Sequence, residues 1–142
     1  MPTFSESSAA QLKTAHPDLQ TLFNEVIRHY DCTIIIGHRG KADQDAAVAA
    51  GKSQTPWPTS KHNSVPSMAV DAMPDVRGVI DWNDEADTAY FAGYIIATAR
   101  QLYQAGKMTH QLRYGGNWKM DNDLKDNHFA DKDHYELIES ST

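Results

Sequence analysis

Cysteine is almost missing from this chain: Cys32 is the single one in 142 residues, which excludes an internal disulfide and any multi-cysteine zinc site. It precedes the apolar run 33–36 and reads as a small buried side chain. No stretch of about 18 or more apolar residues occurs, so no segment is long enough to cross a bilayer as a helix. Basic clusters are missing as well. Lys and Arg number 13 against 19 Asp and Glu, giving a formal net charge of -6, and no Lys/Arg cluster exceeds a pair. A nucleic-acid partner would call for a basic stripe, so that class is disfavoured. An anionic partner would have to be gripped locally, by individually placed residues. The opening residues Met1-Pro2-Thr3-Phe4-Ser5-Glu6 lack the basic start and apolar run of a secretory signal. The expectation is synthesis in the cytoplasm without a signal peptide, and no stable membrane insertion.

What is present suits one soluble domain. The length allows a single core over residues 1–142 and is short for two, and 40% apolar with 23% charged residues is ordinary for that class. Residues 1–16, polar and small, read as a loosely held arm or a first short helix. From Pro17, Leu19, Leu22, Phe23, Val26, Ile27 and Tyr30 recur at helical spacing, with Pro17 suited to a first turn. The β-branched run 32–36, bounded by Gly37, predicts a buried strand, and 43–50 an Ala-rich helix stopped by Gly51. Residues 52–68 hold three of the six prolines and predict a long ordered loop. Further strands are expected at 68–73, 112–114 and 135–138. A long helix is expected over 84–105, with Tyr90, Phe91, Tyr94, Ile95 and Leu102 on a sheet and Gly106 as its stop. An acidic polar segment occupies 121–133. The sum is an α+β domain, a small sheet flanked by helices.

Of seven histidines, His16 and His29 fall at helix edges and His110 and His128 in polar loops. His62 and His134 differ in their neighbours. His62 lies in a loop and is followed by Asp71 on the adjoining strand; His134 opens a strand with carboxylates just before it. Two imidazoles and one carboxylate form a ligand set for catalytic zinc, which keeps a fourth position for water and lowers its pKa. Such chemistry also needs a carboxylate to move the water's proton; Asp131 serves if the chain turns before His134. On spacing alone the alternative stands beside this: His62 caps a loop, Asp71 bonds backbone amides, and His134 is a satisfied strand-end histidine. Glu136, two residues from His134, faces the same way on a strand; it is either a partner orienting His134 or a salt bridge.

The segments around His62–Asp71 and Asp131–Leu137 resemble the two zinc signatures of the M15 peptidases, which comprise D-alanyl-D-alanine carboxypeptidases and phage L-alanyl-D-glutamate endopeptidases of the Hedgehog/DD-peptidase fold. The resemblance extends through His16-Pro17-Asp18-Leu19, Gly37-His38-Arg39, Ser60-Lys61-His62-Asn63, Ala69-Val70-Asp71, Asp81-Trp82, Arg113-Tyr114-Gly115-Gly116 and His134-Tyr135-Glu136-Leu137. These cover nearly the whole chain in the family's order and point to its phage endolysin branch.

The resemblance implies His62, Asp71 and His134 as ligands of one zinc ion and Asp131 as catalytic base. It implies Arg39 as the residue that steadies the substrate carbonyl or oxyanion, a role suited to a fixed guanidinium, and Ser60 as a group that bonds substrate or orients the loop. Two departures stand out. The Val65-Pro66 insertion lengthens the gap between the first histidine and the aspartate, as in phage-type relatives. Asp133 replaces a common proline and offers a second base; alternation along a strand turns it away from the metal, so Asp131 is preferred.

The acidic stretch 121–126 invites a calcium reading. It fails the EF-hand pattern, with Lys125 and Asp126 at positions needing an acceptor and glycine, and a solvated loop is preferred. The implied protein is a monomeric zinc endopeptidase acting on the L-alanyl–D-glutamate bond of the peptidoglycan stem peptide. It would reach the wall after a partner opens the membrane. A D,D-carboxypeptidase with the same metal chemistry is the alternative. A catalytically silent zinc-binding module is another, against which Asp131 and Arg39 argue.

Overall fold

The computed structural model describes residues 2–127 and 129–139, so His128 lies outside the described residues. Of the two readings of residues 1–16, the chain adopts the short helix. Helix α1 (Glu6–Lys13) is capped by Ser5, whose side chain accepts from the Ser8 amide. Leu12 is buried, and Ser8 Oγ accepts the Ile34 amide at 3.1 Å, so this segment is fastened to the sheet.

Helix α2 (Pro17–Val26) turns Leu19, Leu22, Phe23 and Val26 inward as the spacing requires. His16 is its N-cap, with Nδ1 accepting the Asp18 amide at 2.9 Å. Asp18 in turn accepts from the Thr109 and His110 amides and from both side chains. Those two histidines are thus fixed to the framework, where the sequence suggested unremarkable surface positions.

Strand β1 (Cys32–Ile36) is followed by helix α3 (Lys41–Ala49), a 3-10 turn (Lys61–Asn63), strand β2 (Ala69–Pro74), helix α4 (Glu85–Gln104), strand β3 (Gln111–Tyr114) and strand β4 (His134–Ile138). The 3-10 turn is the one regular piece in the long 52–68 loop among the described residues. Asp84 caps α4 by accepting the Asp87 amide. Beyond the helix, Gly106 adopts φ 76°, a left-handed conformation in which a Cβ would be strained. On α4, Phe91 and Ile95 enter the core and Tyr94 and Leu102 pack at its margin. Tyr90 departs from the expectation: one residue before Phe91, it is rotated off the buried stripe and is 74% exposed.

The sheet is antiparallel throughout, in the order β1-β2-β4-β3. Its alternation divides two tasks. Val70 and Ala72 of β2 and Tyr135 and Leu137 of β4 point to the helices. There, Phe23 and Phe91 meet the Tyr135 ring edge-on at 6.0 and 6.3 Å, and Tyr114 stacks on it at 5.0 Å. The opposite face carries Asp71, His134, Glu136 and Arg113. All six residues of β2 are buried, because loops cover this second face as the helices cover the first.

Candidate metal centre and its cleft

Register brings the first two donors together: Asp71 of β2 pairs with His134 of β4, which places their side chains side by side on the face away from the helices. His62 comes from the 3-10 turn. Ser60 caps that turn, its Oγ accepting the His62 amide at 3.2 Å while the Ser60 amide donates to Asn63 Oδ1 at 3.1 Å. Gly37, just after β1, completes the placement. A Cβ there would lie 2.3 Å from Thr14 Oγ1 and 2.4 Å from the Gln11 carbonyl, so only glycine permits the approach. The Gly37 carbonyl then accepts from His62 Nδ1 at 2.7 Å.

The three inward-facing atoms converge. His62 Nε2 lies 3.0 Å from Asp71 Oδ1 and 3.2 Å from His134 Nδ1, and His134 Nδ1 lies 3.2 Å from Asp71 Oδ1. Ligands of a tetrahedral zinc ion stand about 3.3 Å apart, as follows from bond lengths near 2.0–2.1 Å. The outer nitrogens fix the tautomers: Nδ1–H of His62 donates to the Gly37 carbonyl, and Nε2–H of His134 donates to Glu136 Oε1 at 2.9 Å. Each ring therefore turns a lone pair toward the same point. Two lone pairs and a carboxylate oxygen at these distances repel unless a proton or a cation lies between them, so the donor set fits a metal ion.

Charge in the metal-free chain agrees. Burial raises the Asp71 carboxyl, but hydrogen bonds from His134 and His62 outweigh it and hold the group well below the usual carboxylate range. Burial lowers His134, yet Asp71 and Glu136 outweigh it and raise the imidazole to about 10. Glu136, despite burial, is drawn down to about 2 by His134 and Arg113.

Six of the residues selected from the sequence, Arg39, Ser60, His62, Asp131, His134 and Glu136, line one open cleft of about 500 Å³. Asp71 lies beneath it. Asp131 Oδ2 is 3.9 Å from His134 Nδ1, and the His134 amide donates to the Asp131 carbonyl at 3.1 Å. That is the turn the base assignment required. Gly115 permits it, since a Cβ there would stand 2.1 Å from the Asp131 carbonyl oxygen. Asp133 borders a separate cleft; burial, then the charge of Asp71 and the neighbouring Asp131, push its carboxyl up to about 8. Glu136 is both alternatives at once: it orients His134 through one oxygen and takes Arg113 at 2.7 Å on the other.

Arg39 is held 3.5 Å from Asp71 Oδ2 and 3.2 Å from Gln44 Oε1. Fully buried Gln44 also donates to Ser53 Oγ and the Thr55 carbonyl and accepts from Asn63. Sequence reasoning missed Gln44, which sits in an Ala-rich helix with no local pattern to mark it. It also missed Trp118, whose ring lies 5.3 Å from that of His134 and 5.4 Å beneath the Arg113 guanidinium. A tryptophan three residues before the acidic polar segment was the available signal.

A small antiparallel sheet whose face gathers two imidazoles and a carboxylate under an open cleft defines a class of chain able to hold one metal ion with a position left free. Comparison with known proteins narrows the class. The profile of the phage L-alanyl-D-glutamate peptidases matches residues 2–138, and the chain belongs to that family. It is 33% identical over 126 residues to the L-alanyl-D-glutamate peptidase of Escherichia phage T5, covering 87% of this chain and 86% of that one. It superposes on the crystal structure of the Serratia marcescens L-Ala D-Glu endopeptidase ChiX with a TM-score of 0.72 at 26% identity, covering 96% of this chain and 90% of the other.

Proposed function

We propose that the chain is a zinc endopeptidase of the M15 type that hydrolyses the L-alanyl–D-glutamate bond of peptidoglycan stem peptides as a phage or prophage lysis enzyme. The observation that carries this is the convergence of His62 Nε2, Asp71 Oδ1 and His134 Nδ1 within 3.0–3.2 Å at an open cleft, in a family named for that bond. Bound zinc supplies Lewis-acid polarisation of a carbonyl and acidifies water.

The remaining work falls to the chain. Asp131 takes the proton of the attacking water and passes it to the departing amine. Arg39, fixed by Gln44, directs positive charge at the developing oxyanion. Ser60 holds the His62 turn, and Glu136 sets the His134 ring. The enzyme acts as a monomer and reaches the wall once a partner has opened the membrane.

Digestion of purified peptidoglycan, read by mass spectrometry, tests the reading. New L-alanine carboxyl ends and D-glutamate amino ends are expected. Release of terminal D-alanine instead would assign the D,D-carboxypeptidase alternative. Elemental analysis of His62→Ala, Asp71→Ala and His134→Ala should show loss of zinc in each; a full equivalent retained by any two would remove the ligand assignment.

A further inference from the structure

A second cleft, of about 310 Å³, lies behind the segment 129–133. That segment borders both spaces: Phe129 and Asp131 line the metal cleft, while Ala130, Lys132 and Asp133 line the other. The two spaces are thus neighbours that share the 129–133 segment as a common wall. Met73 contributes to the second cleft from β2, and Trp82, Asn83 and Glu85 from the approach to α4.

Trp82 is 58% exposed, although a large indole gains most from burial, and none of the residues assigned to catalysis needs it. Around it stand an amide (Asn83), a hydroxyl (Thr88), two carboxyl groups (Glu85 and Asp133) and an ammonium (Lys132). Lys132 Nζ lies 2.8 Å from Glu85 Oε1, and the rim offers hydrogen-bond donors and acceptors to a polar ligand. A flat apolar plate rimmed by donors and acceptors matches a pyranose ring, whose C–H face is apolar and whose edge carries hydroxyl and amide groups.

In peptidoglycan, one L-alanine and a lactyl ether separate the L-alanyl–D-glutamate bond from an N-acetylated amino sugar. A spacer of about two residues reaches roughly 7 Å, so the sugar must rest close to the metal cleft. We propose that the Trp82 cleft is a glycan subsite that takes an N-acetylated amino sugar of the strand bearing the stem peptide. This rests on the peptidase reading for its biological sense, but its binding chemistry can be tested without it.

The probe is the disaccharide N-acetylglucosaminyl–N-acetylmuramic acid, titrated into the full chain while the indole N–H resonances of Trp57, Trp82 and Trp118 are followed by NMR. Saturable movement of the Trp82 resonance in the millimolar range, with every saturable shift the disaccharide induces elsewhere in the chain lost in Trp82→Ala, is the expected result. A silent Trp82 resonance, or saturable shifts at Trp118 alone, would overturn the subsite and leave the peptidase reading intact. Cleavage supplies a second arm. Trp82→Ala should lower kcat/KM on disaccharide-linked stem peptide at least about fivefold more than on the same peptide without sugar, the scale of one lost stacking contact. Equal losses on both would refute the subsite. Lys132→Ala replaces Trp82→Ala in both arms should the latter fail to fold.

Discussion

Single side chains at the metal centre carry protons whose fate can be worked out. The folded value of His134, about 10, exceeds its ordinary 6.5. In the metal-free chain its charged form therefore stabilises the fold fully below about pH 6.5, and that contribution fades as pH rises through 10. A metal needs the neutral ring and must displace this proton. Zinc affinity should accordingly rise about tenfold per pH unit between pH 6.5 and 8.5. Chelator competition at three pH values measures this, and a flat profile would show that His134 is not a ligand. The two aspartates before it separate by direction. Asp131→Asn should keep zinc and fold but hydrolyse wall at least about a hundredfold more slowly, whereas Asp133→Asn, which lines the second cleft, should be far milder. The reverse ranking would reassign the base. Arg39→Lys should lose turnover without losing metal, because the ammonium cannot reproduce the guanidinium fork on Gln44 and Asp71.

Whole elements were legible where a short-range pattern determines them. The stripe from Leu19 to Val26 gave α2, the β-branched run before Gly37 gave β1, and α4 was bounded by the Gly106 stop and a cap at Asn83 or Asp84, of which the structure uses Asp84. The candidate metal set was selected through motif resemblance, while the register that unites Asp71 with His134 is a long-range property no local spacing contains. Gln44 and Trp118 escaped for the same reason: their partners lie in distant segments. Close approaches are likewise invisible in sequence and testable in structure. Gly115→Ala would press a methyl onto the Asp131 carbonyl at 2.1 Å, forcing the 131–134 turn to shift. A cost of about 1–3 kcal/mol and a loss of wall hydrolysis are expected. Gly93→Ala, in open space on α4, should instead stabilise by about 0.4–1 kcal/mol. Thermal melts of the pair decide: equal melting temperatures would remove the role given to Gly115.

At the scale of the molecule, the sheet is a shared partition, apolar toward α2 and α4 and ionisable toward the cleft. Nothing that binds only the folded chain leaves its stability unchanged, so saturating zinc should raise the melting temperature of the wild type but not of His134→Ala. An identical shift in both would place the ion elsewhere. The three donors are anchored unequally. Asp71 and His134 sit on β2 and β4, the two innermost strands, each paired on both sides, whereas His62 rides on a single 3-10 turn in the long loop. Local opening draws on the least-packed segments first. An ion held by these three donors would therefore be expected to leave by the His62 side, with the strand-borne half staying assembled to receive it again.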